Sequence, residues 1–205
     1  MKRFLFAFAS LLMLITETNA QTNAANRLSI KGFMPAWNNA NVQLLVNGNF
    51  VYSGTVSKDL FSYTGKVDET NEGLLKITRN RQTVYLPLFI EPGTIKIRDE
   101  GKKLVAFGTP TNDTYIELMH QFDSLALLQK QLRFDEVKHF KRQLATAYIQ
   151  QHSNSPISLK LLADYFYLDV SANDVLYYQL YNSLDTALRK SYTGKKMEPE
   201  VNLRY

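Results

Sequence analysis

Cysteine is absent from all 205 residues. That absence removes thiol chemistry, disulfide bracing and cysteine-based zinc sites, so stability has to come from a packed core. Histidine is scarce, with three in the chain. No Gly-x-Ser-x-Gly elbow, phosphate-binding glycine loop or His-Glu-x-x-His helix occurs. Beyond the first twenty residues, no apolar run approaches the roughly 20 residues that a spanning helix needs. The reading is therefore of a chain that is not an enzyme, uses no cofactor and has no stable membrane insertion.

The N-terminus carries a different signal. Lys2 and Arg3 precede the uncharged run "FLFAFASLLMLI", and "TETNA" places Thr18 and Ala20 at the −3 and −1 positions of a cleavage site. Residues 1–20 read as a signal peptide cleaved near Ala20, which puts the protein in the periplasm or outside the cell. The expected mature N-terminus has no cysteine for lipid attachment. Without Lys2, Arg3 and Glu17 the rest of the chain has a net charge of +4. Such mild basicity, in an exported protein, argues against a nucleic-acid partner.

From 21 to 108 the pattern is that of strands. Apolar residues alternate in "LSIKGF" and "NVQLLV", and "NGN" at 47–49 is a hairpin signal because Asn-Gly accepts positive φ. Six further short apolar segments follow, from "FVYSGTV" to "KLVAF". This spacing predicts an antiparallel sandwich or barrel. Residues 109–192 then show helical spacing. Tyr115, Leu118, Phe122 and Leu125 form one stripe, and Phe134, Val137, Leu144 and Tyr148 another. Ser155-Pro156 and Ser171 read as helix starts, the latter before a repeat of Leu176, Leu180, Leu184 and Leu188. About four helices are expected, with a loose tail over 193–205. The fold class is α+β with segregated halves.

Between two apolar segments stand Glu91, Pro92 and Gly93. Proline fixes φ near −65° and glycine supplies positive φ, the requirement of a type II turn. The reading is a hairpin turn with a solvated Glu91 side chain, in which Gly93 matters for folding and Glu91 much less.

"LFIEPGTIKI", followed by "FGTPTND" and a long helix, resembles the domain of unknown function found before thioredoxin-like modules (TlpA and AhpC/TSA type) in secreted Bacteroidetes proteins. The resemblance covers about residues 27–190. It implies a small β-domain with a Glu-Pro-Gly turn and a Gly-Thr-x-x-Asn segment, then helices leading to a thioredoxin-like module. That module and its Cys-x-x-Cys are absent here, so its redox activity does not carry over. Two functions follow as expectations. One is an exported, non-enzymatic accessory, binding or scaffolding domain, with a thioredoxin-like or other envelope protein as partner. The alternative is a fragment of a thiol-disulfide oxidoreductase cut before its catalytic domain.

The sharpest chemical candidate is a pair of Glu-x-x-His motifs, Glu117/His120 and Glu136/His139, because such motifs help build di-iron sites in bundles. Their helical phase opposes the apolar stripes, and residues 155–190 contain no Glu to complete a ligand set. They read as solvated, with no metal. His152 and the basic "KHFKR" at 138–142 read as surface features. "DYFYL" and "LYYQLY" place six aromatics on two helices. Of these, Tyr167 and Tyr178 are expected at the surface as partner contacts.

Overall fold

Among the described residues, alternating apolar residues give eight strands: β1 (Arg27–Phe33), β2 (Asn41–Val46), β3 (Asn49–Thr55), β4 (Leu60–Lys66), β5 (Asn71–Arg79), β6 (Gln82–Ile90), β7 (Gly93–Asp99) and β8 (Leu104–Phe107). The computed structural model describes residues 26–101, 103–128, 134–167 and 174–199. The expected signal peptide, Ser171 and the last six residues lie outside them.

The strands form two four-stranded sheets, ordered β4-β1-β7-β8 and β3-β2-β5-β6. Inward-facing side chains from both meet in one core, among them Leu28 and Ile30 of β1, Val42 and Leu44 of β2, Leu75 and Ile77 of β5, and Ile95 and Ile97 of β7. The sheets pack as a sandwich and do not close into a barrel. One pairing departs from the antiparallel expectation: β1 and β7 run parallel. Parallel neighbours need a long crossover, and five strands separate these two in the chain, so no local signal announces the pairing.

The β2–β3 hairpin is as expected, with Asn47 and Gly48 at φ 51° and 75° between the paired residues Val46 and Asn49. The Glu91–Gly93 segment is not a hairpin. β6 pairs with β5, whereas β7 pairs with β1 and β8, so the turn carries the chain from one sheet to the other. Proline and glycine dictate a sharp bend, but the bend does not dictate which strand lies beside the next one. Gly93 has φ 124°, a conformation that favours glycine.

Among the described residues six helices follow: α1 (Pro110–Leu128), α2 (Phe134–Gln151), α3 (Pro156–Leu162, continued by a π-helical turn over Ala163–Tyr167), α4 (Asp174–Ser183), α5 (Thr186–Lys190) and α6 (Tyr192–Lys196). Ser155 caps α3 by accepting from the Ile157 N–H, with Pro156 at the first position. The Leu176–Leu188 repeat is broken after Leu184, where the Asp185 side chain caps α5. The tail is not loose at 193–199. Gly194 and Met197 are buried, and the Tyr181 and Tyr177 hydroxyls donate to their carbonyls. The tail's own sequence is too polar to show this, because the apolar groups that hold it belong to α4.

The helical half packs on part of the outer face of the second sheet and also beside β8 of the first. Along β6, Leu86, Leu88 and Ile90 face the sandwich core while Phe89 points the other way, into a helical core with Phe122, Ile149, Leu161 and Phe166. Among the described residues no helix is long and apolar enough to cross a membrane.

Candidate functional site: a cleft on the open sheet face

Helices cover the second sheet's outer face around Phe89 and leave Tyr85 of β6 exposed, whereas the outer face of the first sheet is bare over much of its area. Its strand alternation sends Arg27, Ser29, Lys31 and Phe33 of β1 outward, with Leu60, Ser62, Thr64 and Lys66 opposite on β4 and Thr94, Lys96 and Arg98 on β7. The register aligns Leu60, Phe33 and Arg98 in one row and Ser62, Lys31, Lys96 and Phe107 in the next. Phe33 is 61% exposed and Leu60 58%. These side chains line a cleft of about 900 Å³. Pro35 and Ala36, from the turn after β1, and Asp99 and Gly101, at the β7–β8 turn, also line it. The Arg98 guanidinium lies 4.9 Å from the centre of the Phe107 ring, and its Nη2 donates to Glu100 Oε1 at 2.6 Å. That hydrogen bond holds the Glu100 carboxyl below its ordinary pKa. Among the described residues, Lys31 and Lys96 have no ion-pair partner.

A second group of polar side chains sits at the junction of the halves. Glu72 of β5 points into a cavity of about 310 Å³ lined also by Lys160, Tyr192 and Thr193. Its Oε2 accepts from Thr193 Oγ1 at 3.3 Å. Its Oε1 is buried with no hydrogen-bond partner among the described residues. Burial pushes the Glu72 carboxyl above its ordinary pKa, and nearby Lys160, paired with Asp164, only partly opposes this. Burial likewise raises the Tyr115 and Tyr165 hydroxyls, the latter to about 12. Asp164 already pairs with Lys160.

The residues singled out from sequence fall elsewhere. Glu91 is buried at 6% exposure, not solvated. Its Oε1 accepts from the Thr111 N–H at 2.9 Å and its Oε2 from Thr111 Oγ1 at 2.7 Å, so it caps α1 from the preceding sheet crossing. Sequence reasoning misplaced it because its partner lies 20 residues onward. Beside it, Asn112 accepts from the Phe89 N–H at 2.9 Å and donates to the Phe89 carbonyl at 2.7 Å, taking the place of a neighbouring strand at the sheet edge. The two segments "IEPG" and "GTPTND" are therefore bound to each other.

Tyr167 and Tyr178 are exposed at 48% and 41%, on the helical half and apart from the cleft. Tyr167 also lies 6.3 Å from the Tyr177 ring. Glu117, His120, Glu136 and His139 are exposed. His120 faces Glu100 at 3.8 Å, and His139 contacts Gln143. Of the basic patch, Lys141 pairs with Asp123 at 3.0 Å, and Arg142 donates to the Tyr165 carbonyl at 2.9 Å. His152 stacks on Tyr148. The cleft escaped sequence reasoning because Phe33, Leu60 and Phe107 come from three separate strands, each read alone as ordinary alternation.

The architecture is that of an α+β protein, a β-sandwich clasped on one side by helices and open on the other. Residues 28–115 match a family model described as a domain of unknown function (DUF4369). The match runs from β1 to the first turns of α1, so it includes the sandwich, Glu91, Thr111 and Asn112. No curated protein and no solved structure matches the chain.

Proposed function

We propose that this chain is an exported, non-enzymatic accessory module that binds another envelope protein on the outer face of its first sheet. The observation that carries the proposal is the cleft in which exposed Phe33 and Leu60 stand beside Lys31, Lys96 and Arg98. Apolar surface held in water forgoes roughly 25 cal/mol per Å², and a concentrated patch of it beside cations is a hallmark of interfaces. The helical half favours this reading by leaving this face bare while it buries Phe89 of the other sheet. The resemblance to accessory regions of thioredoxin-like proteins makes such a protein the first partner to test.

The experiment is photocrosslinking in intact cells, with the crosslinking amino acid at position 33 and, separately, at 167 and 178. A discrete partner captured from position 33 is the expected result. Capture from Tyr167 or Tyr178 alone moves the interface to the helical half, and no capture from any of the three overturns the binding reading.

A further inference from the structure

We infer that the occupant of this cleft is an acidic segment of a partner protein, one that presents apolar side chains flanked by carboxylates. The inference rests on the binding reading above and specifies the chemistry of the partner.

Charge carries the first step. The outward strand positions of β1, β4 and β7 hold five cations and no carboxylate, namely Arg27, Lys31, Lys66, Lys96 and Arg98, of which Arg98 is already paired with Glu100 beyond the strand. Lys31 and Lys96 are direct neighbours across the parallel pair, as are Arg27 and Lys66 across the antiparallel one. Like charges set opposite each other on a sheet repel. An arriving carboxylate relieves that repulsion, and so adds more here than beside an isolated lysine.

The apolar groups carry the second step. Phe33 and Leu60 are paired at one end of the face, with Pro35 and Ala36 next to them in the cleft. A simple anion would satisfy the lysines and leave these in water. A peptide with an aromatic or aliphatic side chain beside its carboxylates satisfies both, which sets the class of occupant.

The remaining occupants fit less well. A second copy of this chain would bring the same cations against themselves. A bilayer is flat at this scale, whereas the apolar groups lie in a cleft. A polynucleotide leaves Leu60, Pro35 and Ala36 without apolar partners.

The test is fluorescence anisotropy on the exported protein with labelled peptides of equal length. One alternates Glu with Phe and Leu, one replaces every Glu by Gln, and one replaces Phe and Leu by Ala. Vesicles of phosphatidylglycerol and a single-stranded oligonucleotide complete the set. The Glu/Phe/Leu peptide is expected to bind best, and to weaken about tenfold or more at high salt and with Lys31→Glu plus Lys96→Glu. Phe33→Ser is expected to weaken it as well. All three substitutions are on the exposed face, and urea melts check that each variant folds. Equal binding of the Gln peptide, tighter binding of vesicles or oligonucleotide, or no peptide binding overturns the inference. Crosslinking at position 33 keeps the two readings separable. A captured partner without an acidic, apolar contact segment defeats this inference alone, and no captured partner defeats the binding reading beneath it.

Discussion

Asn112 is 1% exposed, and its side-chain amide donates to the Phe89 carbonyl and to Thr109 Oγ1 while accepting from the Phe89 N–H. An unsatisfied buried polar group costs about 1–3 kcal/mol. Asn112→Ala orphans both backbone groups of Phe89, so we expect it to lower stability by about 2–5 kcal/mol in urea melts. Glu91→Ala is expected to cost about 1–3 kcal/mol by removing the cap on Thr111. A loss under about half a kcal/mol for either would mean that this contact does not hold the halves together. Glu72 behaves oppositely. Its pKa is raised in the folded protein, so the folded state holds the proton more tightly than the unfolded state. Its stabilising contribution is complete below the ordinary carboxylate pKa of 4.5 and is lost as pH rises through the folded value. Glu72→Gln is expected to stabilise the protein at neutral pH and to flatten this pH dependence, as read from melts between pH 4 and 8 (about the span over which raised carboxyls titrate). A destabilised Glu72→Gln would place an essential charge at Glu72. Legibility at this scale depends on distance along the chain. Asn47-Gly48 and Ser155-Pro156 act on neighbours and were readable, whereas Glu91 and Asn112 act across 20 and 23 residues and were not.

Among the elements, β6 ties the structure together. Its alternation supplies Leu86, Leu88 and Ile90 to one core and Phe89 to the other, and as an edge strand it offers Asn112 an unpaired backbone. Period-two patterns say that a strand has two faces. They do not say that both are buried, and the apolar run "LPLFI" is the trace of that double burial. The helices divide similarly. Tyr115, Leu118 and Phe122 were readable as a stripe and do line the helical core, but α6 was not, because "YTGKK" has no stripe. α6 is held by Met197, 2% exposed, by the hydroxyls of Tyr177 and Tyr181 from α4, and by Thr193 on Glu72. Met197→Ala is expected to cost about 2–5 kcal/mol, the range for emptying a core methionine site. It should also increase proteolysis after Lys195 or Lys196. A variant as stable as wild type would return these residues to the loose tail that their composition suggests.

At the scale of the whole molecule, the sandwich has one sheet partly covered by helices and one open sheet, and the two conditions have different energetic standing. The covered sheet cannot be uncovered cheaply. Doing so would expose Phe89, whose burial alone is worth about 1.5–3 kcal/mol, and would also leave the buried amide contacts of Asn112 and the Glu91 cap unmade. The open face carries Phe33 and Leu60 exposed beside each other, which makes it available for a partner from outside. The two halves should therefore unfold together although their sequences look like separate domains. The single tryptophan provides a direct check. Trp37 packs against the sandwich core and reports on that half alone, while the far-ultraviolet helical signal comes from residues beyond 109. We expect the two signals to show the same midpoint in urea, and Asn112→Ala to lower both midpoints equally or to split them. Coincident curves in wild type mean a single cooperative unit. Separate midpoints in wild type would show that the link through β6 and α1 is weaker than the free energy of either half. In that case the helices would be a detachable cover, and the second sheet, not the first, would have to be considered as a face that opens to a partner.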